Sequence, residues 1–226
     1  MTLEARVDHL VVAAASLGEG IAWCRETFGI EPAAGGEHPL MGTHNRIFRI
    51  DSNAFPRAYL EIIAINPAAP QPAHARWFDL DDERMRESLA RGPQLIHFAA
   101  STKDATAAVD ALHVQGIDRG AVLAAERATP SGLLRWKITV RSDGQRLFDG
   151  TLPTVIEWGG VHPCDSLPES GIALQSLAVA HPRSAQLRAA FDAIGLTQVE
   201  LQGGAPSIAA TFATPRGQVR LQTATA

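Results

Sequence analysis

VDHLVVAAASL at residues 7–17, QLIHFAASTKD at 94–104 and LQSLAVAHPRS at 174–184 share one pattern. Each is a short apolar run compatible with a β-strand. Each leads into a polar residue suited to cap a helix: Ser16, then Ser101 or Thr102, then Ser184. In the first, Glu19 follows Ser16 by three residues, the spacing of a capping box. A helical pattern comes next in all three, GEGIAWCRETFG (18–29), TKDATAAVDALHVQG (102–116) and SAQLRAAFDAIG (184–195). Each ends in a glycine followed by an aliphatic residue: Gly29-Ile30, Gly116-Ile117 and Gly195-Leu196. Glycine takes the left-handed conformation that ends a helix at little cost. The distances from His9, His97 and Ser176 to these glycines are 20, 19 and 19 residues (29 − 9, 116 − 97 and 195 − 176). Cap, helix length and stop agree in three places, which marks an internal repeat.

Strand-like runs broken by turns follow every glycine. The first copy offers a weak strand near 31–35, then HNRIFRI and AYLEIIAI; the second AVLAAE, LLRWKITV and TVIEW; the third TQVELQ, SIAATFAT and QVRLQT. The unit is therefore βαβββ and the fold class α+β. Unit one spans 1–66 and unit two 94–161, within a paired region 1–165. The connector 67–93 follows Asn66, begins with the extended PAAPQP run and holds a helix near 81–90. A linker, HPCDSLPESG from His162, leads to a third unit at 171–226.

The repeat aligns residues with chemical potential. His9 lies in the first strand of unit one and Glu61 in its last; His97 and Glu157 hold the same places in unit two. The offsets are 52 and 60 residues (61 − 9 and 157 − 97), and the loop RSDGQRLFDG absorbs the difference. Unit three has Ser176 and Gln222 there, so it lacks ligand residues. A charged group within an apolar strand costs free energy unless it is paired or bound. Two such glutamates, each matched by a strand histidine, suit a divalent metal such as Zn, Ni, Co, Mn or Fe. Glutamates on a solvated outer face, or a substrate amine bound without a metal, would use the same residues.

At VDHLVVAA, GGEHPLMGTHNRIF, AYLEIIAINP, LIHFAAS and VIEWGGVHPCDSLPESG the chain resembles the vicinal oxygen chelate superfamily, and within it the glyoxalase-like domain proteins. The resemblance implies two βαβββ units paired into a cupped, partly closed mixed sheet with helices outside. It implies metal ligands at His9, Glu61, His97 and Glu157, with Glu61 or Glu157 as catalytic base. It further implies a metal-dependent lyase or isomerase that abstracts a proton next to a carbonyl, or a dioxygenase if the metal is iron, acting on a small oxygen-bearing molecule. The alternative within the superfamily is a protein of the bleomycin-resistance type, which sequesters a small molecule without chemistry.

Between the second and third strands of unit one, the turn-rich GGEHPLMGTHNR sets His38, His44 and Asn45 where a pocket rim is expected. Arg46 and Arg135, early in third strands, could pair with an anionic substrate. Surface histidines and arginines are the plain alternative for these positions. No Ser/His/Asp order, phosphate loop or dinucleotide fingerprint is present. The 226 residues carry a formal net charge of −4 with no basic run, so no nucleic-acid partner is expected. No apolar stretch approaches the ~20 residues of a membrane span. The apolar run at the start follows Glu4, Arg6 and Asp8, unlike a signal peptide, and only Cys24 and Cys164 are present, so a cytoplasmic setting is expected. Three units leave one unpaired; a homodimer that covers the third is the simplest expectation, and the alternative is that the third closes on its own chain, against units one and two or the 81–90 helix.

Overall fold

The computed structural model describes residues 2–129 and 132–223. Unit one consists of β1 (Arg6–Ala13), α1 (Leu17–Phe28), β2 (Ala33–His38), β3 (Thr43–Arg49) and β4 (Tyr59–Ile65). A short helix α2 (Glu83–Leu89) lies in the connector. Unit two has β5 (Gln94–Ser101), α3 (Ala105–Val114), β6 (Ala121–Thr129), β7 (Gly132–Val140) and β8 (Thr154–Trp158). The third segment contributes β9 (Ala173–Ala180), α4 (Ser184–Ile194), β10 (Glu200–Gln202), β11 (Ser207–Thr214) and β12 (Gly217–Gln222).

Helix signals were legible, with two shifts. Ser16 caps α1 by accepting the Glu19 N–H, and Gly29 ends it at φ 74°. The cap of α3 is Asp104, which accepts the Ala107 N–H, instead of Ser101 or Thr102. Ser101 is still in the β5 ladder, and the Thr102 hydroxyl accepts the Asp104 N–H instead. Helix α4 starts on Ser184 itself and has no side-chain cap.

Units one and two form one eight-stranded, nearly closed sheet in the order β2-β3-β4-β1-β5-β8-β7-β6. Within each unit the last strand runs parallel to the first (β4 to β1, β8 to β5), and antiparallel β1 and β5 join the halves. Alternation sorts the side chains. On β4, Leu60 and Ile62 enter the convex-side core, while Ile63 enters the concave-side core. Trp77 and Phe78, from the connector, plug the concave side together with Ile96, Ile138 and Ile156.

The third segment repeats the succession βαβββ but not its strand order. Its four-stranded sheet runs β10-β9-β11-β12, with β10 parallel to β9 and β12 at the edge. In the other units the strand after the helix goes to the far edge and the last strand returns beside the first. Element succession alone does not separate these two windings. The segment packs against the convex side of its own chain. Phe212 meets Phe28 edge to face at 5.3 Å, the Leu174 N–H donates to the Ile50 carbonyl, and the Ala5 N–H donates to that of Ile194. Phe191, Phe212 and Ile208 are fully buried in the same core as Phe28 and Phe98. Burial of each such side chain stabilises by about 1.5–3 kcal/mol. The apolar face that motivated an expected homodimer is thus covered within the chain. Among the described residues no helix is long and apolar enough to cross a membrane.

Candidate active site

Asp8 and His9 are neighbours in a strand, where successive side chains normally point to opposite faces. The pairing of β1 with β5 shifts register between Val7 and His9, and such a bulge re-aims side chains. The result is a direct bond: His9 Nδ1 lies 2.7 Å from Asp8 Oδ1, with both residues buried. The other Asp8 oxygen accepts from Trp158 Nε1 at 2.9 Å and His162 Nε2 at 3.2 Å. Burial alone would raise the Asp8 carboxyl, but the bonds from His162 and His9 outweigh it and hold the pKa well below the usual range. An ionised carboxylate only accepts, so His9 Nδ1 must carry a proton. Nε2 is left facing the concave side.

There it meets Glu61. On β4, Tyr59 and Glu61 stand two residues apart and so share a face. The Tyr59 ring stacks on His9 with centroids 4.6 Å apart, and Glu61 Oε2 lies 3.7 Å from His9 Nε2. The Asn45 amide donates to Glu61 Oε1 at 2.5 Å, and its own oxygen accepts the Gly36 N–H at 2.6 Å. Glycine is needed beside this contact, because a Cβ on Gly35 would fall 2.0 Å from Asn45 Oδ1. His38 completes the polar wall, with Nδ1 3.0 Å from Thr43 Oγ1 and Nε2 3.4 Å from the Asn45 amide nitrogen. Burial pushes His38 down to about 4, although Glu61 opposes this, so the ring is neutral. Burial raises the Tyr59 hydroxyl above its usual value, with Asp8 and Glu61 adding to the effect, so it remains a donor.

These groups line a small, partly open cavity of about 40 Å³, bordered on its other sides by Trp77, Phe78, Trp136, Trp158 and Leu134. Arg127, from the edge strand β6, also reaches it.

Of the residues read from the sequence, the structure brings His9, Glu61, His38 and Asn45 together here. His97 and Glu157 lie elsewhere, and the expected four-ligand convergence does not form. His97 is fully buried, but its Nε2 accepts the Thr154 N–H at 3.1 Å and its Nδ1 bonds the Gly150 carbonyl at 2.8 Å, so neither nitrogen is free for a ligand. Glu157 is on the other face of the sheet. Its neighbours Ile156 and Trp158 face the concave side, whereas Glu157 bonds Lys137 Nζ at 2.8 Å and the Ala105 N–H at the start of α3 at 2.9 Å. A divalent ion held by His9, Glu61, His97 and Glu157 therefore does not fit this donor set. Among the described residues no three His, Cys, Asp or Glu side chains group to hold an ion.

His44 and Arg46 alternate with inward-facing Asn45 and Ile47 on β3, so they point away from the cavity. Arg135 is likewise outward on β7 and pairs with Glu126 at 3.1 Å. Asp8, Tyr59, Arg127, Trp158 and His162 were not singled out from the sequence. The Asp8-His9 dipeptide was a signal for the first. Arg127 sits in an alternating edge strand that carries no such signal.

A family model described as a glyoxalase-like domain matches residues 7–195. A hypothetical protein from Staphylococcus aureus superposes with a TM-score of 0.61 at 13% identity, over 89% of this chain and 87% of that one. Methylmalonyl-CoA epimerase from Mycobacterium tuberculosis gives 0.41 at 16% identity, over 74% and 95%. A mutant of 4-hydroxymandelate synthase from Streptomyces coelicolor gives 0.47 at 13%, over 98% and 63%. At these identities the first likeness concerns the fold alone, and the latter two carry no weight for activity. No curated protein sequence matches the chain.

Proposed function

The chain belongs to the glyoxalase-like domain family, and from that premise we propose an enzyme that moves a proton next to a carbonyl in a small molecule. The observation that carries this reading is the His9 ring. Asp8 fixes Nδ1 from behind, while Nε2 stands 3.7 Å from the Glu61 carboxylate in a partly open cavity. A buried acid–base pair with one partner oriented by a third group is the usual apparatus of proton transfer.

In this reading Glu61 is the base. It takes the proton from the carbon beside the carbonyl, and the electron pair of the broken C–H bond moves onto the carbonyl oxygen. Tyr59, held protonated by burial, donates a hydrogen bond to that oxygen. Glu61 passes that proton to His9 Nε2, Asp8 stabilises the ring while it is charged, and Nε2 then returns the proton to carbon, which leaves Glu61 ionised and the ring neutral as at the start. Asn45 keeps the Glu61 carboxylate in place. The aromatic walls keep water out, which strengthens each of these interactions. Glu157 has no part in the cavity chemistry.

Incubating small carbonyl compounds with the protein in deuterated water, followed by proton NMR, tests this. Expected is exchange of the C–H next to the carbonyl in a subset of compounds, abolished by E61Q and strongly slowed by H9Q. The second reading, sequestration without chemistry, is favoured by the aromatic lining of the cavity. Saturable binding without exchange would decide for it.

A further inference from the structure

Arg127 is a charged lining residue of the cavity that the mechanism above leaves without a role. Its side chain starts on β6, at one edge of the eight-stranded sheet, and reaches β2 at the opposite edge. A Cβ on Gly36 would fall 1.5 Å from Nη1, so the guanidinium lies directly on the bare backbone of that glycine. Its Nε and Nη1 are buried and make no hydrogen bond. A buried guanidinium with unmatched donors is costly, because both have lost water and gained nothing. Such a group suits a ligand that brings the missing acceptors.

We infer that Arg127 is the anion subsite of this cavity and that the molecule it takes is a singly charged carboxylate on a flat, apolar body. A carboxylate supplies the charged acceptor that a buried guanidinium donor lacks, and such charge-assisted bonds are the strong ones. One negative charge is the limit, because Asp8 and Glu61 already supply anions nearby and His38 is neutral. Among the described residues that line the cavity, Arg127 is thus the only permanent cation. A phosphate dianion would add a second charge with nothing to balance it. The apolar body follows from Trp77, Trp136 and Trp158 in the walls. The inference rests on the cavity being the site proposed above, and it adds the class of molecule. Gly36 is then a specificity residue, because any side chain there displaces the guanidinium.

Phenylglyoxylate, its uncharged methyl ester and phenyl phosphate serve as probes. Each is titrated by calorimetry into the wild type, R127Q, G36A and E61Q, with a thermal melt of every variant. The wild type is expected to bind phenylglyoxylate about ten-fold or more tightly than the ester, the size of one charge-assisted hydrogen bond. R127Q and G36A should bind the two alike while they melt as the wild type does. G36A perturbs only the position of the guanidinium, so agreement between the two variants removes misfolding as an explanation. E61Q should keep the preference for the acid even though it loses exchange activity, which separates this inference from the acid–base reading. Equal affinity of acid and ester in the wild type would overturn it. So would an R127Q variant that keeps the preference, no saturable binding at millimolar concentration, or tighter binding of phenyl phosphate than of phenylglyoxylate.

Discussion

Acid should destabilise this protein through two buried histidines well before its carboxylates protonate. Burial lowers the pKa of His38 from 6.5 to about 4. His97 is lowered well below 6.5, first by burial and then by nearby Arg119. For a group whose folded pKa is depressed, the unfolded chain takes up the proton first, and stability falls as pH drops through that interval. The contribution of His38 is therefore whole above 6.5 and is lost as pH falls from 6.5 to about 4. At about pH 5 the unfolded-state ring is almost fully protonated and the folded one almost fully neutral, a loss of about 2 kcal/mol. His97 acts in the same direction, so the wild type should lose more than the about 2 kcal/mol due to His38 between about pH 7.5 and pH 5. Guanidinium denaturation followed by tryptophan fluorescence at the two pH values measures this directly. The H38Q variant isolates one term: its loss over the same interval should be smaller by about 2 kcal/mol. Asp8 acts in a different window, below the usual carboxylate value, because its pKa is lowered. An H38Q variant with the same acid sensitivity as the wild type would refute the buried, neutral placement of His38.

Glu157→Gln should lower stability by about 1 kcal/mol, through its bonds to Lys137 and the first turn of α3. It should leave probe binding in the cavity unchanged, measured by a thermal melt beside a titration; lost affinity with an unchanged melt would contradict its placement on the convex face. Phe212→Ala should cost about 3–5 kcal/mol in equilibrium denaturation, because Phe212 is fully buried against Phe28 at the seam between the third segment and the main sheet. A change below about 1 kcal/mol would mean that the third segment does not share this core.

The strand–helix–strand succession was legible because caps, glycine stops and helical periods are local. Strand order is not local. The third segment has the same succession as the first two, yet β10 enters beside β9, and no short-range pattern distinguishes that winding. The site was half legible for a similar reason. His9 and Glu61 were visible as polar residues in apolar strands, and they meet. Glu157 was visible by the same criterion, but the side-chain period of a strand is two, so a one-residue difference in register turns a ligand position outward. In unit two it is Trp158, the next residue, that faces the cavity. His44, Arg46 and Arg135 fell to the same parity. Asp8 was hidden because alternation puts it on the opposite face from His9, and only the bulge in β1 brings the two together.

The His9 ring is where the account is most exposed. Long-range proton–nitrogen correlation spectra of protein with nitrogen-15 histidine, assigned with H9Q, report which ring nitrogen holds the proton. The ionised Asp8 predicts that Nδ1 of His9 holds a proton, and a D8N variant that loses this preference. A neutral ring protonated on Nε2, with Nδ1 bare toward Asp8, would contradict the orientation on which the proposed chemistry rests.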